Sequence, residues 1–173
     1  SAFEWNAMTK NKSYSLIGFI FLLVSFYTIY KLRVNPDNDY WPLLIIVLIC
    51  ILTDIGGFIF GKIFKGPRLS IYSPNKTYSG AIGSILLTLS SIPFLISFNV
   101  INDKNFFFTI IFFVIISAIS QIGDLIISYF KRLSNLKDTG NIIPGHGGLL
   151  DRIDGMIFAI PFSYILLSQG LFR

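Results

Sequence analysis

Five stretches of this chain are almost continuous in Leu, Ile, Phe and Val for roughly 18 to 24 residues, the length an α-helix needs to cross about 30 Å of hydrocarbon. They fall at about residues 14–30, 41–64, 79–98, 106–127 and 153–171. Open strand edges cannot survive in hydrocarbon, so the spans are read as helices. Composition agrees: only 13% of the 173 residues are charged, about half the share usual in a soluble domain. The expected fold is all-α, a multi-pass integral membrane helical bundle of about five transmembrane helices. No Pro/Ser/Gly-rich linker or low-complexity segment divides residues 1–173, so one domain is expected.

The segments between spans refine this picture. Phe3, Trp5 and Met8, ahead of the first span, are read as one helical face of a short N-terminal interfacial helix with Trp5 at the head-group level; a plain surface helix is the alternative. Pro93 marks a kink or an early stop in the third span. If the spans alternate, Lys10 and Lys12, the basic loop 62–76 and the loop after the fourth span share one side, which Lys/Arg placement assigns to the cytoplasm. The turns near residues 35 and 102 carry Asp37, Asp39 and Asp103 on the other side. The formal charge of +5 sits in loops beside apolar spans, which favours anionic lipid or an anionic substrate over nucleic acid as its partner. Cys50, the single cysteine, lies in an apolar run and offers neither an intrachain disulfide nor a metal-ligand spacing. The chain starts at Ser1 with neither a methionine nor a signal-peptide pattern, as a fragment or a processed form would.

Polar chemistry concentrates between Asp124 and Asp154. Ser128 and Lys131 follow Asp124 at i+4 and i+7, so a carboxylate, a hydroxyl and an ammonium line one helix face. An acid near hydrocarbon is a functional candidate, with interfacial capping as the alternative. Asp151 and Asp154 share a face at the start of the fifth span, where acids also complement a helix dipole. Carboxylates from two helices could cradle Mg²⁺, which takes hard oxygen ligands and substrate phosphates. Lys131 and Arg132 could then hold phosphate oxygens. Pro144-Gly145-His146-Gly147-Gly148 forms a turn able to present backbone N–H groups to an anion; His146 could contact phosphate or base, act as an acid, or simply close the turn. On the other basic loop, Ser73 or Thr77 can cap the third span, and Lys76 stands beside that helix N-terminus, a favourable place for phosphate. Asp54, next to Gly56-Gly57, is either a further polar group facing the site or a buried acid paired with a loop lysine.

These residues together resemble a known signature. Ser128-x-x-Lys131-Arg132, Lys137-Asp138-x-Gly140 and Pro144-Gly-His-Gly-Gly-x-x-Asp151-Arg152-x-Asp154 are similar to the pattern of the phosphatidate cytidylyltransferases, the CDP-diacylglycerol synthases. Gly123-Asp124, Asp54 with Gly61-Lys62, Ser73-Pro-x-Lys76-Thr77 and Glu4-Trp5 resemble other motifs of that family, so the likeness covers essentially the whole chain. It implies an enzyme, a nucleotidyltransferase making CDP-diacylglycerol and pyrophosphate from CTP and phosphatidate, with Mg²⁺ and often a second cation such as K⁺. It also implies a bacterial inner-membrane location, an active site facing the cytoplasm and a homodimer. By position, Asp124 and Asp151, with Asp154, would bind metal. Ser128 and Lys131, with Ser73, Lys76 and Thr77, would contact or orient phosphates, and Arg132, Lys137, His146, Gly147 and Arg152 would add substrate contacts.

Departures accompany the likeness. Family members carry additional N-terminal spans, so these residues correspond to the C-terminal catalytic part. Tyr78-Ser79-Gly80 stands where the family commonly has aromatic-Glu-Gly, and Gly56-Gly57-Phe58 replaces Ala-Tyr-Phe. A CTP-dependent polyprenol or phytol kinase is the nearest rival reading. A transporter, whose acids would be spread through the membrane depth, and an inactive truncated relative are the others.

Overall fold

The computed structural model describes residues 1–9, 12, 14–34, 39–101, 105–136, 138–140 and 147–169. Among them the regular structure is helical: α1 (Ala2–Thr9), α2 (Ser15–Arg33), α3 (Trp41–Phe64), α4 (Tyr78–Ser90), α5 (Ile92–Ser97), α6 (Phe106–Leu133) and α7 (Leu150–Ser168). Pro42 lies in the first turn of α3, where its missing N–H costs nothing. Pro93 has the anticipated effect. It cannot continue the hydrogen-bond ladder of α4, which ends at Ser90, and it sits in the first turn of α5.

Four stretches are long and apolar enough to cross a membrane: Ser15–Arg33, Trp41–Phe64, Tyr78–Ser97 and Phe106–Leu133. The expected fifth, α7, has 19 residues but carries Asp151, Arg152 and Asp154 in its opening turns. It is also an inner helix, packed on α6, α2 and α3. Charge and position thus set α7 apart from the four lipid-length helices. With 28 residues, α6 measures about 42 Å, so held near upright it overhangs a hydrocarbon layer of about 30 Å.

Helices α3 and α4 form the closest pair, because small residues let their backbones touch. A Cβ on Gly56 would lie 2.7 Å from the Ser84 Cα, and one on Gly80 would lie 2.7 Å from the Gly57 carbonyl oxygen. Two apolar clusters complete the bundle. One centres on Ile46, Ile49, Ile92, Phe113 and Ile116; the other joins Trp5, Met8, Leu22, Ile127, Leu150 and Ile157. Large side chains such as Leu16, Ile17, Phe58 and Phe107 remain on the outside, as a lipid-facing surface requires.

The structure corrects the reading of α1. Successive helical residues are about 100° apart, so Phe3 and Trp5 point in opposite directions while Trp5 and Met8 share a face. Phe3 is 78% exposed, whereas Trp5 and Met8 are each 4% exposed and face the bundle. Trp5 lies against Gly18 of α2, stacks edge-on with Phe130 at 5.4 Å and donates from Nε1 to the Ser15 carbonyl at 2.9 Å. It is therefore an internal anchor for α1. Trp5→Ala should destabilise the protein by about 3 kcal/mol, seen as a lowered melting temperature in detergent, while Phe3→Ala should leave the melting temperature unchanged.

Candidate active site

The loop between α3 and α4 is a small hairpin. The Lys76 N–H donates to the Ser73 carbonyl at 3.1 Å, closing a turn with Pro74 at its second position. Below it, Arg68 and Thr77 form an antiparallel bridge, flanked by bonds from Leu69 N–H to the Lys76 carbonyl at 2.7 Å and from Tyr78 N–H to the Pro67 carbonyl at 3.2 Å. The Thr77 hydroxyl accepts from the Gly80 N–H at 3.1 Å and caps α4. This geometry aims Lys76 at α6, where its ammonium pairs with Asp124. Arg132 Nε donates to the Tyr72 carbonyl at 3.3 Å and ties the same loop to the end of α6.

The face of α6 is the anticipated one. Ser128 donates to the Asp124 carboxylate at 3.4 Å, and Lys131, one turn further, meets Asp151 of α7 at 3.0 Å. The second oxygen of Asp151 accepts from the N–H groups of Thr139 at 2.9 Å and Gly148 at 3.0 Å. Asp151 lies ahead of the apolar part of α7. Burial would raise its pKa, but the Thr139, Lys131 and Gly148 hydrogen bonds outweigh that and hold the carboxyl below its ordinary value. Asp154, one turn on, is 9% exposed, accepts from the Gly155 N–H at 2.8 Å and faces the same cavity as Asp124. Two carboxylates facing one cavity favour a proton or a cation between them.

These groups surround one cavity of about 530 Å³. Ser73, Lys76 and Thr77 line it from the hairpin; Asp124, Ser128, Lys131 and Arg132 from α6; Asp151, Arg152 and Asp154 from α7. Asp54 opens onto it from α3, as the first of its two readings anticipates. Gly147 is not in the wall; its φ of 82° turns the chain so that the Gly148 N–H reaches Asp151. Lys137 and His146, with Pro144 and Gly145, lie outside the described residues. No three Asp, Glu, His or Cys side chains among the described residues form a ready-made metal cage. The hard oxygens of Asp124 and Asp154, lining one cavity, nevertheless suit Mg²⁺ completing its shell from phosphate and water.

Sequence reasoning passes over the cavity's polar floor. Gln121 donates to the Ser84 hydroxyl at 2.8 Å, and Thr53 donates to Ser117 at 2.9 Å. The signal is present: Ser117, Gln121, Asp124, Ser128 and Lys131 recur every three or four residues as one polar stripe. Residue chemistry alone also misses Glu4. It accepts from the N–H groups of Leu149 at 2.7 Å and Leu150 at 2.8 Å, a contact that no local pattern announces.

Residues 3–169 match the model of the cytidylyltransferase family. A phosphatidate cytidylyltransferase of Rickettsia bellii is 40% identical over 98% of this chain and 75% of its own length. One from Rickettsia typhi is 39% identical over 93% of the chain and 73% of its own length. One from Staphylococcus haemolyticus is 34% identical over 96% of the chain, which spans 65% of that relative.

The depressed pKa of Asp151 makes its contribution to stability present at neutral pH and lost as pH falls through the folded-state value. The difference in melting temperature between wild type and Asp151→Asn should thus be full at pH 7 and shrink as the pH drops below the ordinary value of 3.8, as followed by thermal denaturation in detergent.

Proposed function

The chain belongs to the cytidylyltransferase family, and from that premise we propose that it transfers the CMP unit of CTP to phosphatidate, releasing pyrophosphate and forming CDP-diacylglycerol. The observation that carries this reading is the charge pattern of the cavity. Lys76, Lys131, Arg132 and Arg152 supply cationic groups for phosphates, interleaved with the carboxylates of Asp124, Asp151 and Asp154. Asp124 lies within an apolar helix of membrane-crossing length, so this mixture begins at the edge of hydrocarbon, where the phosphate of a membrane lipid resides.

In the proposed reaction a phosphatidate oxygen attacks the α-phosphorus of CTP. The new P–O bond forms as the bond to the bridging oxygen breaks, and the electron pair leaves with pyrophosphate. A phosphate oxygen is already anionic at neutral pH, so the attack asks for no general base. Lys76 and Lys131, each paired with an acid, exchange that partner for phosphate oxygens when substrate enters. The guanidinium groups of Arg132 and Arg152 suit paired contacts to the outer phosphates. Ser128 and Ser73 contribute hydroxyl donors, and Thr77 keeps the hairpin in register through its cap. Asp124 and Asp154, with Asp151, would hold Mg²⁺, which when bound neutralises the triphosphate and the departing pyrophosphate. Catalysis on this reading is positioning and electrostatic stabilisation. The bacterial relatives and the basic residues at the cavity end support an inner-membrane enzyme whose site faces the cytoplasm.

Membranes containing the chain should incorporate label from cytosine-ring-labelled CTP into a phosphatidate-derived lipid. A CTP-dependent lipid kinase leaves that lipid unlabelled. Asp124→Asn and Asp151→Asn should each reduce CMP transfer at least ~100-fold; full activity in both would sink the proposal.

A further inference from the structure

Glu4 stands out because it is an acid at 2% exposure, outside the cavity wall, on a short helix far in sequence from everything it touches. Its Oε1 accepts from the Leu149 N–H at 2.7 Å and its Oε2 from the Leu150 N–H at 2.8 Å. The Ser1 nitrogen lies 3.5 Å from the same Oε2. The contact falls where α7 starts, and α7 has no cap of its own. Leu149 occupies the N-cap position without a side-chain cap bond, and leucine is among the poorest residues there. A helix start leaves up to four N–H groups without partners, and a carboxylate beside it is further favoured by the dipole.

The surroundings are built around this carboxylate. A Cβ on Gly148 would sit 2.6 Å from Glu4 Oε1, and one on Gly140 would sit 3.2 Å from the same atom. A side chain at position 148 would therefore force the carboxylate to shift, and one at position 140 would crowd it. Trp5, the next residue, fixes α1 against Gly18 and Phe130, so the carboxylate is presented from an anchored helix. The turn it holds is followed at once by Asp151 opposite Lys131 and, one turn later, by Asp154 opposite Asp124.

We propose that Glu4 is a positioning residue for the site, acting as a cap supplied by α1 to α7 and setting the register of Asp151 and Asp154 against α6. Its consequence for CMP transfer rests on the function proposed above; its structural part does not. Hydrogen exchange read by mass spectrometry on the purified full chain, together with CMP-transfer kinetics, tests both in wild type, Glu4→Gln and Glu4→Asp. Glu4→Gln should accelerate exchange at residues 148–154 by about tenfold or more while α3 and α4 keep their protection. It should also lower kcat by about tenfold. Glu4→Asp, which keeps two carboxylate oxygens, should recover part of both losses and carries the comparison if Glu4→Gln does not fold. Faster exchange spread evenly over all helices, or a local change with wild-type kcat, would overturn the proposal. A wild type that exchanges normally but transfers no CMP would instead remove the functional reading, and the exchange pattern alone would then decide whether Glu4 positions α7.

Discussion

A carboxylate near the edge of hydrocarbon has to be compensated, and two acids of the cavity are compensated in different ways. Asp124 takes the ammonium of Lys76 from the α3–α4 hairpin. Asp151 shares one oxygen with Lys131 and the other with two backbone N–H groups. Each compensation runs between separate elements, so the charges that suit the cavity to phosphate also bind the hairpin, α6 and α7 together. Leaving either of these part-buried charges without its partner is unfavourable, which makes the placement of each element depend on the others.

Apolar packing supplies the frame for these ties. The backbone contact between α3 and α4 brings Asp54 and Lys76 to the same cavity wall, and it exists because Gly56 and Gly80 carry no side chain. The cluster around Trp5, Leu22, Ile127 and Leu150 lies directly beneath the start of α7 and holds α1 in place. Two interior polar pairs satisfy each other, Gln121 with Ser84 and Thr53 with Ser117. The floor of the cavity is thus polar without exposing lone hydrogen-bonding groups to lipid.

Much of this architecture is legible in the order of residues alone. Apolar run length locates the helices, and the i, i+4, i+7 spacing of Asp124, Ser128 and Lys131 places them on one face because helical geometry leaves no other arrangement. Pro93 announces its own break. What stays hidden are choices among equivalent partners. Nothing in the sequence says that Lys76 pairs with Asp124 and Lys131 with Asp151 and not the reverse, since that depends on how α4, α6 and α7 pack. Glu4 is invisible to residue chemistry for the same reason: its partners are backbone groups at Leu149 and Leu150, and backbone leaves no residue signature. The orientation of Trp5 is misjudged because aromatic residues in a short amphipathic segment suggest lipid contact, while Gly18 opposite makes room for the ring inside the bundle. The fifth stretch is helical as expected, and α7 differs from the other four in carrying Asp151, Arg152 and Asp154 in its first turns.

The overhang of α6 has a geometric consequence. Asp124 and Lys131 are seven residues apart on one helix, a vertical separation of about 10 Å. That interval is comparable to the head-group layer of a bilayer leaflet, the zone between hydrocarbon and bulk water. A phase boundary falling within that interval would leave the polar floor, with Lys76 beside Asp124, toward the oily side and Lys131 and Arg132 toward the wet side. Two reagents of opposite solubility can meet there without either leaving its own solvent.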